Sequence, residues 1–232
     1  MPHQLGERRS WTLERRGEFA ITSAVGAAVC AGVALVQYRW PCRSYEQYIV
    51  LNVALLLWVP LLAIMLTTRA QPSEYGLARG DERLSRVYGW GLFAAVLPVL
   101  VVGAHLPSSR AYYPLYRQFP RPGPATWHYL IYFEAVYGLY LFSWEWFFRG
   151  YLLFGLSRSI GGMALFPQAV LFGLLHYGKP WPEFASSFVT GLVLGFTAMR
   201  VGSFFPGFVV HWAAATAYDL LVLAGVGFRL PP

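Results

Sequence analysis

The sequence predicts an all-α, polytopic membrane protein of about seven or eight transmembrane helices, one of them short or tilted. Three observations carry this. Of 232 residues, 56% are hydrophobic and only 12% are charged, roughly half the charge of an ordinary soluble domain. The mean hydropathy is +0.45. Aromatic residues number 9 Trp, 15 Tyr and 17 Phe, more than one small core buries and of the types that collect at membrane interfaces.

The elements follow in order. Crossing about 30 Å of hydrocarbon takes about 20 apolar residues, and such stretches occur near 19–38, 48–66, 87–106, 128–152, 183–201 and 204–226. A shorter one lies near 163–178 and ends before Pro180, where a helix is expected to stop. The first stretch follows Arg8, Arg9, Arg15 and Arg16. It is long for a signal peptide and lacks a small-residue cleavage site after it, so it reads as an uncleaved anchor. The pair Arg8-Arg9 with Ser10 and Trp11 is a poor twin-arginine signal, with Glu7 and Glu14 close by.

The net charge of +7 does not indicate nucleic acid, because the basic residues sit in short connections rather than on one face with aromatics for stacking. Alternate connections differ in basic content. The N-terminal tail, Arg69, Arg79, Arg83, Arg86, Arg158 and Arg200 fall on one side, and Arg39, Arg43, Arg110, Arg117, Arg121, Lys179 and Arg229 on the other. The richer first side predicts a cytoplasmic N-terminus. The expected setting is the cell inner (plasma) membrane, with multiple passes and the lipid bilayer as the principal surroundings. Cys30 and Cys42 are too few for a disulfide framework. Neither longer loop, 67–86 or 107–127, is large enough to fold alone. The organisation expected is a cytoplasmic tail over 1–18, N-terminal helices and loops over 19–127, a core over 128–226 and a tail over 227–232.

Ionisable residues inside spans cost about 2.5–3.5 kcal/mol each on the insertion scale and mark function by default. Here they are Glu134, Glu145 and Arg149 in the fourth long stretch, His176 at the end of the short one, and His211 and Asp219 in the last. At 100° per residue Glu134 and Glu145 point within about 20° of each other, with Arg149 one turn beyond Glu145. Gly138 shares that face and admits a close neighbour. The Glu145–Arg149 spacing also suits a plain intrahelical ion pair, and a lone membrane histidine often does no more than bond across helices. Depth favours chemistry: with spans centred near 140 and 215, Glu145 and His211 each lie roughly 6–8 Å from the midplane on the same side.

If the short helix does not span fully, His176, Lys179 and Glu183 border the Glu145 pocket, because irregular backbone at membrane depth is tolerated only against protein or a watery cavity. Lys179 and Glu183 also suit a simple ion pair. A carboxylate that activates water, an imidazole that shares its proton and a second imidazole for the oxyanion suffice for peptide hydrolysis. A Glu and two His equally suit zinc with water in the fourth position, although no HExxH occurs. The residues alone permit a hydrolase, a metal site or a proton relay.

In order, Glu145-Trp146-Phe147-Phe148-Arg149-Gly150, Phe172-Gly173-Leu174-Leu175-His176 and Gly207-Phe208-Val209-Val210-His211 resemble the CAAX-protease and bacteriocin-processing family of intramembrane endopeptidases. The resemblance covers about residues 128–226 and implies a CAAX-protease-like helical bundle. It implies Glu145 and His176 as the water-activating pair, His211 as oxyanion or proton-transfer partner, and Arg149 as the arginine of the first motif. Two positions depart from the pattern: Trp144 stands where the family has a first glutamate, and Ala215 where it has an asparagine. The chain resembles a divergent sub-branch with one glutamate and with Asp219 eight residues after the last histidine. Glu134, Asp219, Lys179 and Glu183 are then supporting residues.

The expected activity is hydrolysis of a peptide bond in a membrane-associated or C-terminally tailed protein. No cofactor is expected, with zinc held by Glu145, His176 and His211 as the alternative chemistry. The alternative of another class, motivated by Trp144, is an inactive member serving as a membrane scaffold or binding protein.

Overall fold

A computed structural model describes residues 2–40, 42–68, 70–120 and 126–225, with side chains from Arg16 onward. The 227–232 tail and Arg69, Arg121 and Arg229 lie outside the described residues, as do the side chains of Arg8, Arg9 and Arg15. The described residues form helices joined by short turns, without a strand. In order these are α1 (Pro2–Tyr38), α2 (Tyr45–Val53), α3 (Val59–Thr67), α4 (Glu82–Ala104), α5 (Pro107–Tyr112), α6 (Trp127–Glu145), α7 (Leu153–Ile160), α8 (Leu165–Leu174), α9 (Trp181–Val201) and α10 (Phe205–Gly225). The segment expected as a tail, up to residue 18, continues α1 as helix.

Five helical stretches are long and apolar enough to cross a membrane: Arg16–Tyr38, Tyr45–Thr67, Glu82–Ala104, Trp181–Val201 and Phe205–Gly225. The second joins α2 and α3 through a π-helical turn over Ala54–Trp58. The fourth predicted stretch, 128–152, is longer than its hydropathy suggests. It runs from α6 through a π-helical segment, Trp146–Leu152, into α7. At 1.5 Å per residue the ten residues of α8 rise only about 15 Å, half the hydrocarbon thickness. The chain then turns over 175–178 ahead of Pro180.

Local signals start the helices that carry the site. The Asp81 carboxylate caps α4 by accepting from the Leu84 amide at 2.9 Å, and the Thr126 hydroxyl caps α6 by accepting from the Tyr129 amide at 3.3 Å, each satisfying a donor the helix leaves open. Along one side of α6, Phe133, Tyr137, Tyr140 and Trp144 form a ladder of rings with centroids 5.4–5.7 Å apart. Their spacing of three or four residues makes them vertical neighbours on a helix, and all four are buried. By contrast α4 turns an apolar side outward, with Trp90 74% and Val102 69% exposed, as a helix facing lipid does.

Contacts between helices bring the chemistry together. α10 runs along α4 and crosses α6, while α8 lies against α9. At one end of the bundle Arg158 of α7 pairs with Glu18 of α1 and with Glu74, both at 3.4 Å, and the Asp81 amide donates to the Val201 carbonyl at 2.9 Å. At the other end the Tyr38 hydroxyl donates to the Tyr177 carbonyl at 2.8 Å, and Tyr113 donates to Glu183. The connections expected on opposite sides thus do gather at opposite ends.

Candidate active site

Glu145 is the last residue of α6, and the wider π-helical turn starts at the next one. Insertions of this kind recur at functional sites because they re-aim side chains out of the regular ladder. Glu145 and Arg149 are both fully buried, and Arg149 Nη1 donates to Glu145 Oε1 at 3.1 Å. The same oxygen lies 2.7 Å from His211 Nδ1. A carboxylate only accepts, so Nδ1 carries the proton and His211 Nε2 is left for other chemistry. The His211 side chain is 20% exposed, which makes it the more open member of the group.

The second carboxylate oxygen, Glu145 Oε2, is buried without a hydrogen-bond partner among the described residues, as are Arg149 Nε and Nη2. It faces α10 at Gly207. A Cβ there would stand 3.2 Å from Oε2, tighter than ordinary contact, so the glycine lets α10 pass close to the carboxylate.

His176 follows the end of α8 and is 3% exposed. Its Nδ1 lies 2.7 Å from the Phe172 carbonyl. A carbonyl cannot donate, so this nitrogen is protonated and Nε2 is the one left open. The Phe172 ring unites the group: its centroid is 4.5 Å from the His176 ring, 6.2 Å from the His211 ring and 3.8 Å from the Arg149 guanidinium carbon. The guanidinium gains a cation–π contact in place of water. Trp144 is buried with its ring 5.9 Å from that of His176, where it fills space.

Burying an ion pair costs several kcal/mol per ion, and swapping such a pair for apolar residues is often neutral or stabilising. Stability therefore does not explain Glu145 and Arg149. The arrangement holds a carboxylate, with one oxygen occupied and one open, beside two imidazoles that each have an unused nitrogen. Among the described residues, no three of His, Cys, Asp and Glu are gathered closely enough to hold a metal ion as they stand.

The other predicted residues fall in two places. Glu134 and Asp219 lie deeper along α6 and α10, where Thr216 Oγ1 donates to Glu134 Oε2 at 2.7 Å. Next to them Gly138 receives Trp212, whose ring a Cβ would meet at 2.7 Å, and whose Nε1 donates to the Glu134 carbonyl at 3.0 Å. Lys179 and Glu183 pair with each other at 2.7 Å. Burial and the adjoining Glu183 carboxylate raise the Tyr113 phenol well above its ordinary range, so it stays a neutral donor to that carboxylate. Lys179 lines a cavity of about 240 Å³ together with Tyr48, Tyr137, Tyr140, Trp144 and Leu175. This cavity reaches the site through Trp144; Glu145 does not line it. A second, outward groove of about 750 Å³ runs between α4 and α10, walled by Trp90, Phe93, Phe205, Pro206 and Val210 with Arg79 and Arg86 at its head.

Phe172, Gly207 and Thr216 carry parts of this arrangement without having been singled out for a role in the sequence. Phe172 and Gly207 open the second and third motifs, and that position was the available signal. Thr216 had none.

Residues 126–217 match the family model described as type II CAAX prenyl endopeptidase Rce1-like. No curated protein matches the chain, and no solved structure does.

Proposed function

We propose that this chain, whose residues 126–217 match the CAAX prenyl endopeptidase family model, hydrolyses a peptide bond in a membrane-associated or C-terminally tailed protein with a water activated by Glu145 and His176. One observation carries the reading: Glu145 Oε1 holds both Arg149 and His211, while Oε2 stays open. Arg149 holds the carboxylate in place, and His211 is oriented by its bond to Oε1.

In the proposed step, Glu145 Oε2 and His176 Nε2 bind one water. One of them takes a proton as the oxygen attacks the scissile carbonyl. The charge that develops on the carbonyl oxygen is met by the His211 ring, held in place by its bond to the Glu145 carboxylate, as oxyanion-stabilising groups do in a water-excluded site. Breaking the C–N bond then needs a proton on the leaving nitrogen, and the group that took it from water returns it. Water is consumed, and an acid and an amine are formed. No metal is required by this sequence of steps. Zinc would need Glu145, His176 and His211 to draw together.

Substrate reaches the site within the bilayer, and the N-terminus faces the cytoplasm of a cell whose inner membrane holds the protein. The Arg-rich connections support this orientation. A second reading, a scaffold that keeps the fold without hydrolysis, is favoured by Trp144, whose buried ring stands where a second carboxylate would.

The test is cleavage of candidate tailed proteins from the same genome by the chain, by Glu145→Gln and by His176→Ala, each repeated with chelator. Loss in both variants is expected, with no effect of chelator. Unchanged cleavage in both overturns the mechanism, chelator-sensitive cleavage with stoichiometric zinc replaces it by a metal one, and no cleavage by the unaltered chain favours the scaffold.

A further inference from the structure

The pair α4 and α10 is closed at one end and open at the other. Toward their C-terminal ends Ala104 and Val222 are buried in one cluster, and a Cβ at Gly103 would stand 3.0 Å from the Tyr218 hydroxyl, so the two helices are in contact there. Near their N-terminal ends a Cβ at Gly89 would meet nothing within 4 Å. The helices splay, and the space between them is the groove of about 750 Å³.

Its depth is that of one leaflet. On α4 the wall is a single helical stripe from Glu82 to Phe93, and on α10 a stripe from Phe205 to Ala213, with members three and four residues apart. At 1.5 Å per residue these stripes run about 12–16 Å, half of the roughly 30 Å of hydrocarbon. Trp90 is 74% and Val209 56% exposed. The groove therefore opens sideways, toward lipid, and not into the bundle.

An independent observation is the charge at its head, where Arg79 and Arg86 stand against one acid, Glu82. Arg86 and Glu82 are 4.0 Å apart and both mostly exposed, a pairing that contributes little. Arg79 has no ion-pair partner among the described residues. The loop that carries it is nonetheless fastened on both sides: the Ser203 hydroxyl donates to the Ala78 carbonyl, and the Asp81 amide donates to the Val201 carbonyl at 2.9 Å. Arg79 is thus held at the head of the groove by the turn that leads into α10.

We propose that the α4–α10 groove binds one anionic phospholipid from the surrounding leaflet, its phosphate on Arg79 and Arg86 and an acyl chain along Trp90, Phe93 and Val210. Neither half of the groove selects this occupant alone. Apolar walls accept any chain and arginines any anion, but an apolar slot one leaflet deep with two arginines at its head selects a molecule that has both parts in that order. Basic pockets between spans on the Arg-rich side of a membrane protein are where anionic headgroups bind. The site lies on the side of α10 away from Glu145, since the groove residues Phe205, Val209 and Ala213 occupy a different helical face from Gly207 and His211. Binding is therefore independent of hydrolysis.

The experiment is quenching of tryptophan fluorescence in the purified full-length protein, reconstituted in phosphatidylcholine vesicles with rising fractions of brominated phosphatidylglycerol or brominated phosphatidylcholine. Trp90 is the reporter, read as the difference between the unaltered protein and Trp90→Phe. Half-maximal quenching of Trp90 is expected at a fraction of phosphatidylglycerol roughly five- to thirtyfold lower than of phosphatidylcholine, the preference that one or two arginines give. Glu145→Gln should show the same ratio. Arg79→Gln combined with Arg86→Gln should bring the ratio close to one, and since both side chains are exposed the fold should survive. Gly89→Leu, which fills the open space, should reduce Trp90 quenching by either lipid with the arginines still in place. A ratio near one in the unaltered protein means ordinary lipid contact and overturns the proposal, as does a ratio unchanged in the double arginine variant. Trp90 shielded from both lipids in a cross-linkable dimer overturns it too, because a second copy is then the occupant.

Discussion

Two polar layers join α6 to α10, and they are built on opposite terms. In the layer at Glu145 the carboxylate is answered by a guanidinium at 3.1 Å and an imidazole at 2.7 Å. In the layer at Glu134 and Asp219 the Thr216 hydroxyl donates to Glu134 at 2.7 Å, the two carboxyls meet each other, and among the described residues neither has an ion-pair partner. The difference lies in what each must do at membrane depth. A carboxylate held by two fixed partners stays aimed whether or not substrate is present, which suits catalysis. Acids without such partners are held by hydrogen bonds alone, here from Thr216 to Glu134, which suits a structural contact between α6 and α10.

The widest separation of the two layers is expected in activity. Glu145→Gln keeps the shape of the side chain but removes the proposed base, and should lower the cleavage rate by about 10² to 10⁴, the usual contribution of a positioned acid or base. Asp219→Asn should leave the rate within about twofold, because Asp219 lies about 12 Å along α10 from His211. Cleavage assays on the two variants side by side check this. An equal loss in both would mean that the layers act as one site.

In stability the contrast should take another form. Arg149→Ala strands the Glu145 carboxylate in a fully buried position, and removing one member of a buried pair costs about 3–5 kcal/mol. Unfolding in mixed micelles, followed by circular dichroism, is expected to show that loss. The double variant Arg149→Met with Glu145→Leu should recover most of it, since an apolar pair has no desolvation cost. If the double variant is as unstable as the single one, packing of Arg149 on Phe172, rather than charge, is what the arginine contributes.

How far each layer could be read beforehand follows from how local its contacts are. Glu145 and Arg149 lie one helical turn apart, as do Lys179 and Glu183, so the spacing by itself brings each pair within reach. Glu145 meets His211 because two spans of fixed rise bring equal depths together, which simple counting along each helix anticipates. Tyr45 is different. Its ring meets that of Phe133 only through the packing of α2 on α6, and no spacing in the chain encodes that. The π-helical turn at Trp146–Leu152 is equally silent, because a wide turn has no residue type of its own. Its consequence is that the fourth stretch continues to Ile160 instead of ending near 152. The five helices that meet the span criterion follow the predicted apolar stretches within a few residues, because hydrocarbon thickness constrains them directly.

A glycine substitution sharpens the first layer with a smaller effect. Gly207→Ala places a Cβ 3.2 Å from Glu145 Oε2, too close for that oxygen to keep its position without yielding a few tenths of an ångström. The fold should survive, because the Leu194 side chain, the other neighbour, stands at 3.8 Å. Cleavage is expected to fall about tenfold, in keeping with the sensitivity of catalysis to small misplacements. Expression and Tm, measured on the same preparation, should stay close to those of the unaltered protein. A fall in Tm without a fall in rate would place the crowding on the helix contact rather than on the carboxylate.

The smallest effect belongs to the second layer. Thr216→Val removes a hydroxyl that donates to Glu134 and keeps the volume of the side chain, so it should cost about 0.5–1.5 kcal/mol, the usual net worth of one hydrogen bond. Unfolding in mixed micelles, with cleavage measured on the same preparation, checks this, and the rate should be unchanged. A fall in rate without a fall in stability would tie the second layer to the Glu145 site, whereas unchanged stability would show that the Thr216 bond contributes no more than its replacement.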